Sequence, residues 1–151
     1  VFRLLGMFDS NPMAIQPSQV EKWQQEGVIE YPGKTKDVRP FIANANVFVL
    51  PSFYREGLPR STLEAMAMGR PIITTDWPGC KETVVSGENG FLVPVKDAEA
   101  LAAAMEKFIS QPDLIKSMGK CSRKIAEEKY DIHKVNQIIM RTLGIYDKKN
   151  V

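Results

Sequence analysis

The sequence is poor in the residues that build metal centres and nucleophilic triads. Among its 151 residues there is one histidine, His133, and there are two cysteines, Cys80 and Cys121. No cluster of Cys, Asp or Glu stands near His133 at the spacing of metal ligands, and two cysteines form no disulfide framework. We therefore expect two reduced thiols, one in a loop and one on a helix. Zinc chemistry and a Ser-His-Asp triad have no basis in this sequence.

The sequence also lacks the marks of membrane-spanning and nucleic-acid-binding chains. No apolar run approaches the roughly 20 residues that cross a bilayer, and no signal peptide or lipidation motif is visible. Lys and Arg number 20 and Asp and Glu 18, a formal net charge of +2. That balance gives no case for nucleic acid, where a clustered basic face is expected. It is compatible with an anionic small ligand or a peripheral membrane contact.

Short apolar runs alternate with amphipathic stretches along the chain, which predicts strands alternating with helices. A continuous apolar run at Val47–Leu50 suits a strand buried on both faces of a parallel sheet. The pattern predicts an α/β fold with a Rossmann-like, doubly wound parallel sheet. The predicted strands are 2–5, 28–31, 47–50, 71–74 and 91–93. The predicted helices are 17–26, 37–45, 59–68, 97–109, 113–129 and 132–146, with one or two helical turns at 80–85 and a turn at 87–90.

The stretch from Pro51 to Ala65 is the most informative part of the sequence. In a doubly wound sheet, ligands bind outside the carboxyl ends of the strands, which points to the loops after Leu50, Tyr31 and Thr74. Here a strand, a loop and a helix start follow one another, and the free N–H groups of a helix start form an anion site.

Two carboxylates, Glu56 and Glu64, flank this predicted anion site. Gly57, between them, allows a close approach of the backbone to a ligand and unusual dihedral angles. Because the neighbours of Glu64 are all apolar, we expect its charge to have a partner, and sugar hydroxyls would serve.

This stretch resembles the E-x7-E signature of the retaining glycosyltransferases of family four, the group 1 glycosyltransferases of the GT-B fold. The resemblance covers nearly the whole chain and implies one half of a GT-B fold, the C-terminal, donor-binding domain. Its motifs occur in order as LPS (50–52), EGLP (56–59), EAMA (64–67), GRPIITT (69–75), GCKETV (79–84) and NGFLV (89–93).

The resemblance implies a role for each matching residue. Glu56 would be the catalytic carboxylate at the reacting face of the donor sugar. Glu64 would accept hydrogen bonds from the two ribose hydroxyls, which suits a carboxylate. Two loops would bind the rest of the donor: the sugar and phosphate at Gly57, Leu58, Pro59, Arg60 and Ser61, and the base at Gly33, Lys34 and Thr35.

The sequence departs from the family pattern in two places. Many members carry Gly where Pro59 stands, and proline has no N–H to donate, so Leu58, Arg60 and Ser61 would supply the amides. The family's Arg and Lys that neutralise the diphosphate have no match around Gly6–Phe8. We expect that pair to lie before Val1.

The resemblance implies transfer of a hexosyl or N-acetylhexosaminyl group, with retention, from a nucleoside-diphosphate sugar. UDP is the commonest nucleotide of such families, and neither a metal nor a cofactor is expected. The acceptor would be a glycan or a lipid-linked sugar of bacterial surface polysaccharide synthesis. The enzyme would be cytoplasmic, with a peripheral contact at the inner membrane face.

We interpret the chain as a piece of a longer protein. Residues 1–146 would form the nucleotide-sugar-binding domain, 147–151 a frayed tail, and an N-terminal domain that holds the acceptor would be absent.

Other functions stay open at this point. The domain could bind a nucleotide sugar and be inactive alone, because half of the cleft is missing. A sugar-nucleotide 2-epimerase on a related fold needs a histidine at the sugar, and His133 is far from the motif in sequence. A phosphorylase needs a marked lysine, and a nicotinamide enzyme needs a G-x-G-x-x-G after a strand; neither is present. The sequence leaves the donor sugar, the nucleotide, the acceptor and the oligomeric state open.

Overall fold

The computed structural model of the chain describes residues 1–11, 14–54 and 57–145. Within these residues the chain divides into two compact units, a first unit of Val1–Val38 and a second that begins at Arg39. All of the described strands pair in parallel, so the predicted α/β class with parallel strands is confirmed. The strands form two separately hydrogen-bonded sheets, one in each unit.

The first unit is a single β-α-β element. Strand β1 (Phe2–Leu5) and strand β2 (Ile29–Gly33) pair in parallel and are joined through helix α1 (Pro17–Gln25). The predicted end of the second strand at Tyr31 is wrong. The strand continues through Gly33 because Gly33 pairs with Leu5 and its carbonyl accepts from the Gly6 N–H at 3.2 Å.

The second unit is built on a three-stranded sheet in the order β3-β4-β5. Its strands are β3 (Phe48–Leu50), β4 (Ile72–Thr75) and β5 (Gly90–Val93). All four residues of the central strand β4 are buried, whereas those of β3 are half-buried. The prediction that the apolar run at Val47–Leu50 is buried on both faces is therefore wrong; the most buried strand is the one that lies between two others.

Gly90 is required by the close contact of β5 with β4. A Cβ atom at this position would lie 1.7 Å from the Ile72 carbonyl oxygen, a distance that no side chain can adopt. The preceding residue, Asn89, is fully buried and its amide makes two bonds to the segment before the turn: its oxygen accepts from the Val85 N–H at 2.8 Å, and its nitrogen donates to the Thr83 carbonyl at 3.1 Å. The predicted turn at 87–90 is thus fixed by packing and by these bonds.

The helices of the second unit follow the sequence pattern closely, with shifts at their ends. Asp97 begins the helix after β5 as predicted, since its carboxylate accepts from the Ala100 N–H at 2.8 Å. The last helix ends at Thr142 instead of Tyr146, before Gly144 with its φ of +67°. Tyr146 and the predicted tail at 147–151 lie outside the described residues. The helices are α2 (Arg39–Ala43), α3 (Arg60–Ala67), α4 (Ala98–Ser110), α5 (Asp113–Lys129) and α6 (Ile132–Thr142), with a 3₁₀ turn at Lys81–Thr83.

Helix α2 is shorter than predicted. It was expected from Asp37 through Ala45, but the Thr35 hydroxyl accepts from the Asp37 N–H at 3.1 Å and donates to its carbonyl at 3.0 Å. These two bonds hold the segment in a turn, so the helix begins only at Arg39.

One hydrophobic core joins the sheet of the second unit to its helices. Phe108 of α4 stands edge-on to Phe91 of β5, with ring centroids 5.4 Å apart. The carboxyl ends of the strands are followed by loops that lie outside this core. Its buried members are Ile73, Val93, Ala104, Phe108 and Met118.

Candidate functional site

The loop after β3 is anchored to the carboxyl end of β4. The Thr74 hydroxyl donates to the Leu50 carbonyl at 2.8 Å, and the Thr75 hydroxyl donates to the Ser52 carbonyl. Both threonines are buried. Two side chains of the central strand therefore fix the start of the loop, at the edge of the sheet where a ligand was predicted.

A pocket opens between the end of β3 and the start of α3. Its volume is about 420 Å³, which falls in the range of small-molecule sites. The structure brings together in its wall five of the residues that the sequence singled out. The pocket is lined by Leu50, Ser52, Gly57, Leu58, Pro59, Arg60 and Ser61.

The start of helix α3 leaves donors free. Pro59 precedes the helix in an extended conformation, and its carbonyl accepts from the N–H groups of Thr62 and Leu63 at 3.1 and 3.2 Å. No side chain of the described residues caps this end. The N–H groups of Arg60 and Ser61 have no acceptor among the described residues. Together with the positive end of the helix dipole, they suit an anion.

Arg60 is the cation at this helix start. Its side chain is exposed, and it forms no ion pair with any carboxylate in the part of the chain that the structure describes. A guanidinium can bind phosphate through two parallel hydrogen bonds. The residue therefore adds a cation to the wall of the pocket.

Gly57 lies in the loop before α3, in the wall of the pocket. A Cβ atom at Gly57 would meet nothing within 4 Å. The local space is open, which leaves room for a ligand close to the backbone.

Glu64 lies one turn into α3 and is exposed. The helical period directs Ala65 and Met66 into the core and Glu64 to solvent, so its charge is not buried among its apolar sequence neighbours. The expectation that sugar hydroxyls are its partner stays a prediction. Its carboxylate has no hydrogen bond or ion pair with the described residues, and Glu64 is not among those that line the pocket.

Two predicted sites cannot be placed beside the pocket. Glu56, with Arg55 before it, lies outside the described residues. Gly33, Lys34 and Thr35 belong to the first unit: Gly33 ends β2 with a φ of +78°, and Lys34 is exposed. The hydroxyl of Thr35 is engaged with Asp37 as both donor and acceptor.

The GCKETV segment (79–84), which follows β4, uses its glutamate, Glu82, in contacts within the protein. The Glu82 carboxylate accepts from the Gly79 N–H at 2.8 Å, and the Glu82 carbonyl accepts from the Tyr130 hydroxyl at 2.7 Å. Burial, and then the negative charge of Glu82, raise the pKa of Tyr130. These contacts tie the loop to α5, so the carboxylate of this motif closes its own turn.

Sequence reasoning missed an aromatic pair beside the pocket. Phe53 and Tyr54 stack with ring centroids 4.7 Å apart, directly after the pocket residue Ser52. Both side chains are exposed, at 42% and 62%. The signal was present, since two adjacent aromatic residues follow the predicted strand and precede the predicted catalytic glutamate.

Within the described ranges, no three His, Cys, Asp or Glu side chains are grouped as metal ligands would be. The described helices include none with the length and apolar character to cross a bilayer. Cys80 and Cys121 are both unpaired thiols, as expected.

Comparison with known proteins gives consistent matches over most of the chain. A family model described as glycosyl transferases group 1 matches residues 2–111. The chain is 32% identical over 152 residues to the N,N'-diacetylbacillosaminyl-diphospho-undecaprenol alpha-1,3-N-acetylgalactosaminyltransferase of Campylobacter jejuni, covering 99% of this chain and 38% of that protein. It is 41% identical over 103 residues to the capsular polysaccharide biosynthesis glycosyltransferase CapM of Staphylococcus aureus, covering 68% and 26%.

Among solved structures, the chain resembles Anabaena HepE in complex with UDP. The TM-score is 0.83 at 23% identity, covering 95% of this chain and 40% of that one. This likeness shows the fold, one Rossmann-like half of a GT-B architecture. The chain spans between about a quarter and two fifths of the length of these proteins.

Proposed function

The chain belongs to the group 1 glycosyl transferases, and we propose that it is the donor-binding part of a retaining glycosyltransferase of bacterial surface polysaccharide synthesis. The observation that carries the proposal is the pocket at the start of α3, with its free N–H groups and the cation of Arg60. The named relatives from Campylobacter and Staphylococcus support the setting in polysaccharide or glycan synthesis.

The donor is a nucleoside-diphosphate sugar, and we favour UDP as its nucleotide. HepE has been solved with UDP and with UDP-glucose, and this chain shares its fold. The diphosphate lies at the start of α3, where the N–H groups of Arg60 and Ser61 and the guanidinium of Arg60 face its charge. The sugar is a hexose or an N-acetylhexosamine.

The reaction breaks the bond between the anomeric carbon and the diphosphate, and charge develops on the leaving group. Donors already aimed at that charge stabilise the transition state more than the bound substrate. Arg60 and Ser61 supply such donors from this chain, without a metal. Glu56 acts at the reacting face of the sugar, and the carboxylate of Glu64 accepts from the ribose hydroxyls.

The base of the nucleotide is assigned to the loop at Gly33, Lys34 and Thr35. The left-handed conformation of Gly33 turns the chain at the end of β2, and Lys34 is exposed. Thr35 contributes through its backbone or its remaining lone pair, because Asp37 already engages its hydroxyl.

The acceptor is a glycan or a lipid-linked sugar. The Campylobacter relative is named for an acceptor linked to undecaprenol, and an acceptor of that kind is embedded in a bilayer. We therefore place the enzyme at the cytoplasmic face of the inner membrane, in peripheral contact with it. Flotation of the complete enzyme with vesicles that contain anionic lipid tests this placement, and an enzyme that stays unbound at low salt contradicts it.

A second candidate is a nucleotide-sugar-binding module that is inactive alone. The length of the chain favours this candidate, because the chain covers only 26% to 38% of the length of the two relatives named above. The two candidates share the donor pocket and differ only in whether transfer requires a further domain.

The experiment that tests the donor pocket is a titration of the chain with nucleoside diphosphates by calorimetry. We expect UDP to bind, and UDP-sugars to bind at the same site in competition with it. Arg60→Ala is the test variant, and Arg141→Ala, an exposed arginine of helix α6, is the matched control. If no nucleoside diphosphate binds, or if Arg60→Ala leaves the affinity unchanged, the assignment of this pocket is wrong.

A further inference from the structure

The loop between β3 and α3 presents two aromatic side chains beside the pocket. Ser52 lines the pocket and its carbonyl is held by Thr75 of β4. Phe53 and Tyr54 follow it directly, and the Tyr54 N–H donates to the Ser52 hydroxyl at 3.4 Å. The position of the aromatic pair is therefore tied to the sheet through the residue that precedes it.

The two rings form a layered arrangement with a lysine. Phe53 and Tyr54 stack with an angle of 22° between their planes. The Lys96 ammonium lies over the Phe53 ring, 4.8 Å from its centroid. Lys96 has a φ of +60°, a conformation that residues other than glycine adopt rarely, and such local strain concentrates at functional positions.

Tyr54 is the accessible member of this arrangement. Phe53 has both Tyr54 and Lys96 against its ring, whereas Tyr54 has Phe53 alone among the described residues. Its side chain is 62% exposed, and its hydroxyl has no partner in the described chain. A large aromatic side chain left in water forgoes about 1.5–3 kcal/mol of burial, so a ring supported in this way is suited to contact a ligand.

We propose that the Tyr54 ring is a stacking platform for the acceptor sugar, an inference that rests on the proposed function. The C–H groups on one face of a pyranose are weakly positive and match the negative face of an aromatic ring. A transferase must hold two sugars at once. The donor is assigned to the pocket at the start of α3, and Tyr54 is not among the residues that line it, which leaves its ring for the second sugar.

The position of Tyr54 supports this assignment. It stands two residues before Glu56, the predicted catalytic carboxylate, whereas the donor residues begin directly after Glu56. The N-terminal domain implied by the family would still hold most of the acceptor. Tyr54 adds a contact from this chain, which orients the acceptor sugar against the donor.

The test uses the chain saturated with a UDP-sugar that binds in the calorimetric titration above, so that the nucleotide and the sugar parts of the donor pocket are both filled. Methyl glycosides of glucose, galactose and N-acetylgalactosamine serve as acceptor probes, and saturation-transfer NMR reports binding of their ring protons. We expect at least one glycoside to bind, and Tyr54→Ala to weaken it about tenfold, equivalent to roughly 1.4 kcal/mol. Tyr54→Phe keeps the ring and should keep the binding.

The affinity for UDP is measured by calorimetry on the same variants before any donor is added. It should be the same in wild type and in Tyr54→Ala, and Ile109→Ala, an exposed apolar residue on α4, is the control that should change neither ligand. Circular dichroism checks that each variant is folded.

The possible failures are distinguishable. A chain that binds no nucleoside diphosphate refutes the proposed function. A chain that binds UDP but no glycoside, or whose glycoside affinity is unchanged in Tyr54→Ala, refutes the platform alone. Loss of UDP affinity in Tyr54→Ala, with glycoside binding intact, overturns the platform and assigns the ring to the nucleotide.

Discussion

Neighbouring residues in the first turns of α3 differ in burial. Ala65 and Met66 are completely buried and pack α3 into its unit. Glu64, the residue before them in the sequence, is exposed and has no hydrogen bond or ion pair with the described residues. Stability gives no reason for a carboxylate at this position. A ligand does, because the ribose of the proposed donor has two adjacent hydroxyls that one carboxylate can accept from.

Replacing Glu64 with alanine should weaken UDP binding without destabilising the chain. A hydrogen bond to a charged group contributes about 1.5–3 kcal/mol, which corresponds to a loss of roughly tenfold or more in affinity. Titration calorimetry measures this loss. Glu106→Ala, another exposed glutamate on a helix of the same unit, should leave the affinity unchanged, and an unchanged affinity in Glu64→Ala would remove its ribose role.

Gly90 is a residue whose importance lies in packing. Alanine there would bring its Cβ within 1.7 Å of the Ile72 carbonyl oxygen, and overpacking of this kind costs about 1–3 kcal/mol or more. We expect Gly90→Ala to lower the free energy of unfolding, measured by urea titration. Gly57→Ala, which meets nothing within 4 Å, is the control, and equal stability of the two variants would contradict the observed packing.

The helices of the second unit differ in how their N-termini are capped. Helix α4 begins at a side-chain cap, Asp97, whereas α3 begins at Pro59 with none. A capped end has its first donors satisfied, and an uncapped one exposes them. The N-terminus of α4 is therefore closed by its own cap, whereas the N-terminus of α3 has free N–H groups that a ligand can bind.

The cap of α4 should be measurable. Asp97→Ala removes the acceptor of the Ala100 N–H, and loss of such a cap costs about 0.5–2 kcal/mol. The free energy of unfolding should fall by that amount in urea titration. Asp97→Asn keeps a cap and should lose much less; a loss as large as that of alanine would mean that the charge, not the hydrogen bond, is responsible.

The contact between α5 and the loop after β4 should depend on alkaline pH. The pKa of Tyr130 is raised, first by burial and then by the charge of Glu82. A raised pKa means that the folded chain holds the phenol proton more tightly than the unfolded chain. The resulting stability is therefore fully present below the ordinary pKa of 10.0 and is lost as the pH rises through the folded value.

Tyr130→Phe should remove this alkaline loss, since it has no proton to release. Thermal melts of the wild type and the variant at pH values on both sides of 10.0 test the expectation. The wild type should be the more stable at neutral pH, where its hydroxyl donates to the Glu82 carbonyl, and the gap should narrow as the pH rises. A gap that stays constant would show that the phenol does not titrate differently on folding.

The whole molecule, as proposed, is larger than this chain. The relatives are matched over 26% to 38% of their length, and the acceptor needs a surface that the donor pocket does not supply. We therefore expect this chain to bind the nucleotide without transferring the sugar. The pocket at the start of α3 is lined by residues of the second compact unit, whereas we propose that transfer depends on a further domain.

This separation predicts two results for one chain. The 151 residues should bind UDP but transfer no sugar from a radiolabelled UDP-sugar to a lipid-linked acceptor. A longer protein that joins them to an N-terminal domain should do both, and Glu56→Ala in that protein should reduce turnover more than UDP affinity. Transfer by the chain alone would contradict the view that it forms half of a catalytic cleft.

The sequence by itself determined the order of the elements, the family and the place of the pocket. The strand ending at Leu50, the helix start near Pro59 and the cap at Asp97 are set by residues close together in the chain, so local patterns predict them. The five loop residues from Gly57 to Ser61 are also neighbours in the chain, and they share one wall of the pocket.

The tertiary structure alone decided burial and partners. It made β4 the fully buried strand instead of β3, exposed Glu64, and bound the Glu82 carboxylate to its own loop. It also stacked Phe53 on Tyr54 below the ammonium of Lys96. Each of these facts depends on contacts between distant segments or on the path of a loop, and such contacts form only when the strands have taken their places beside one another.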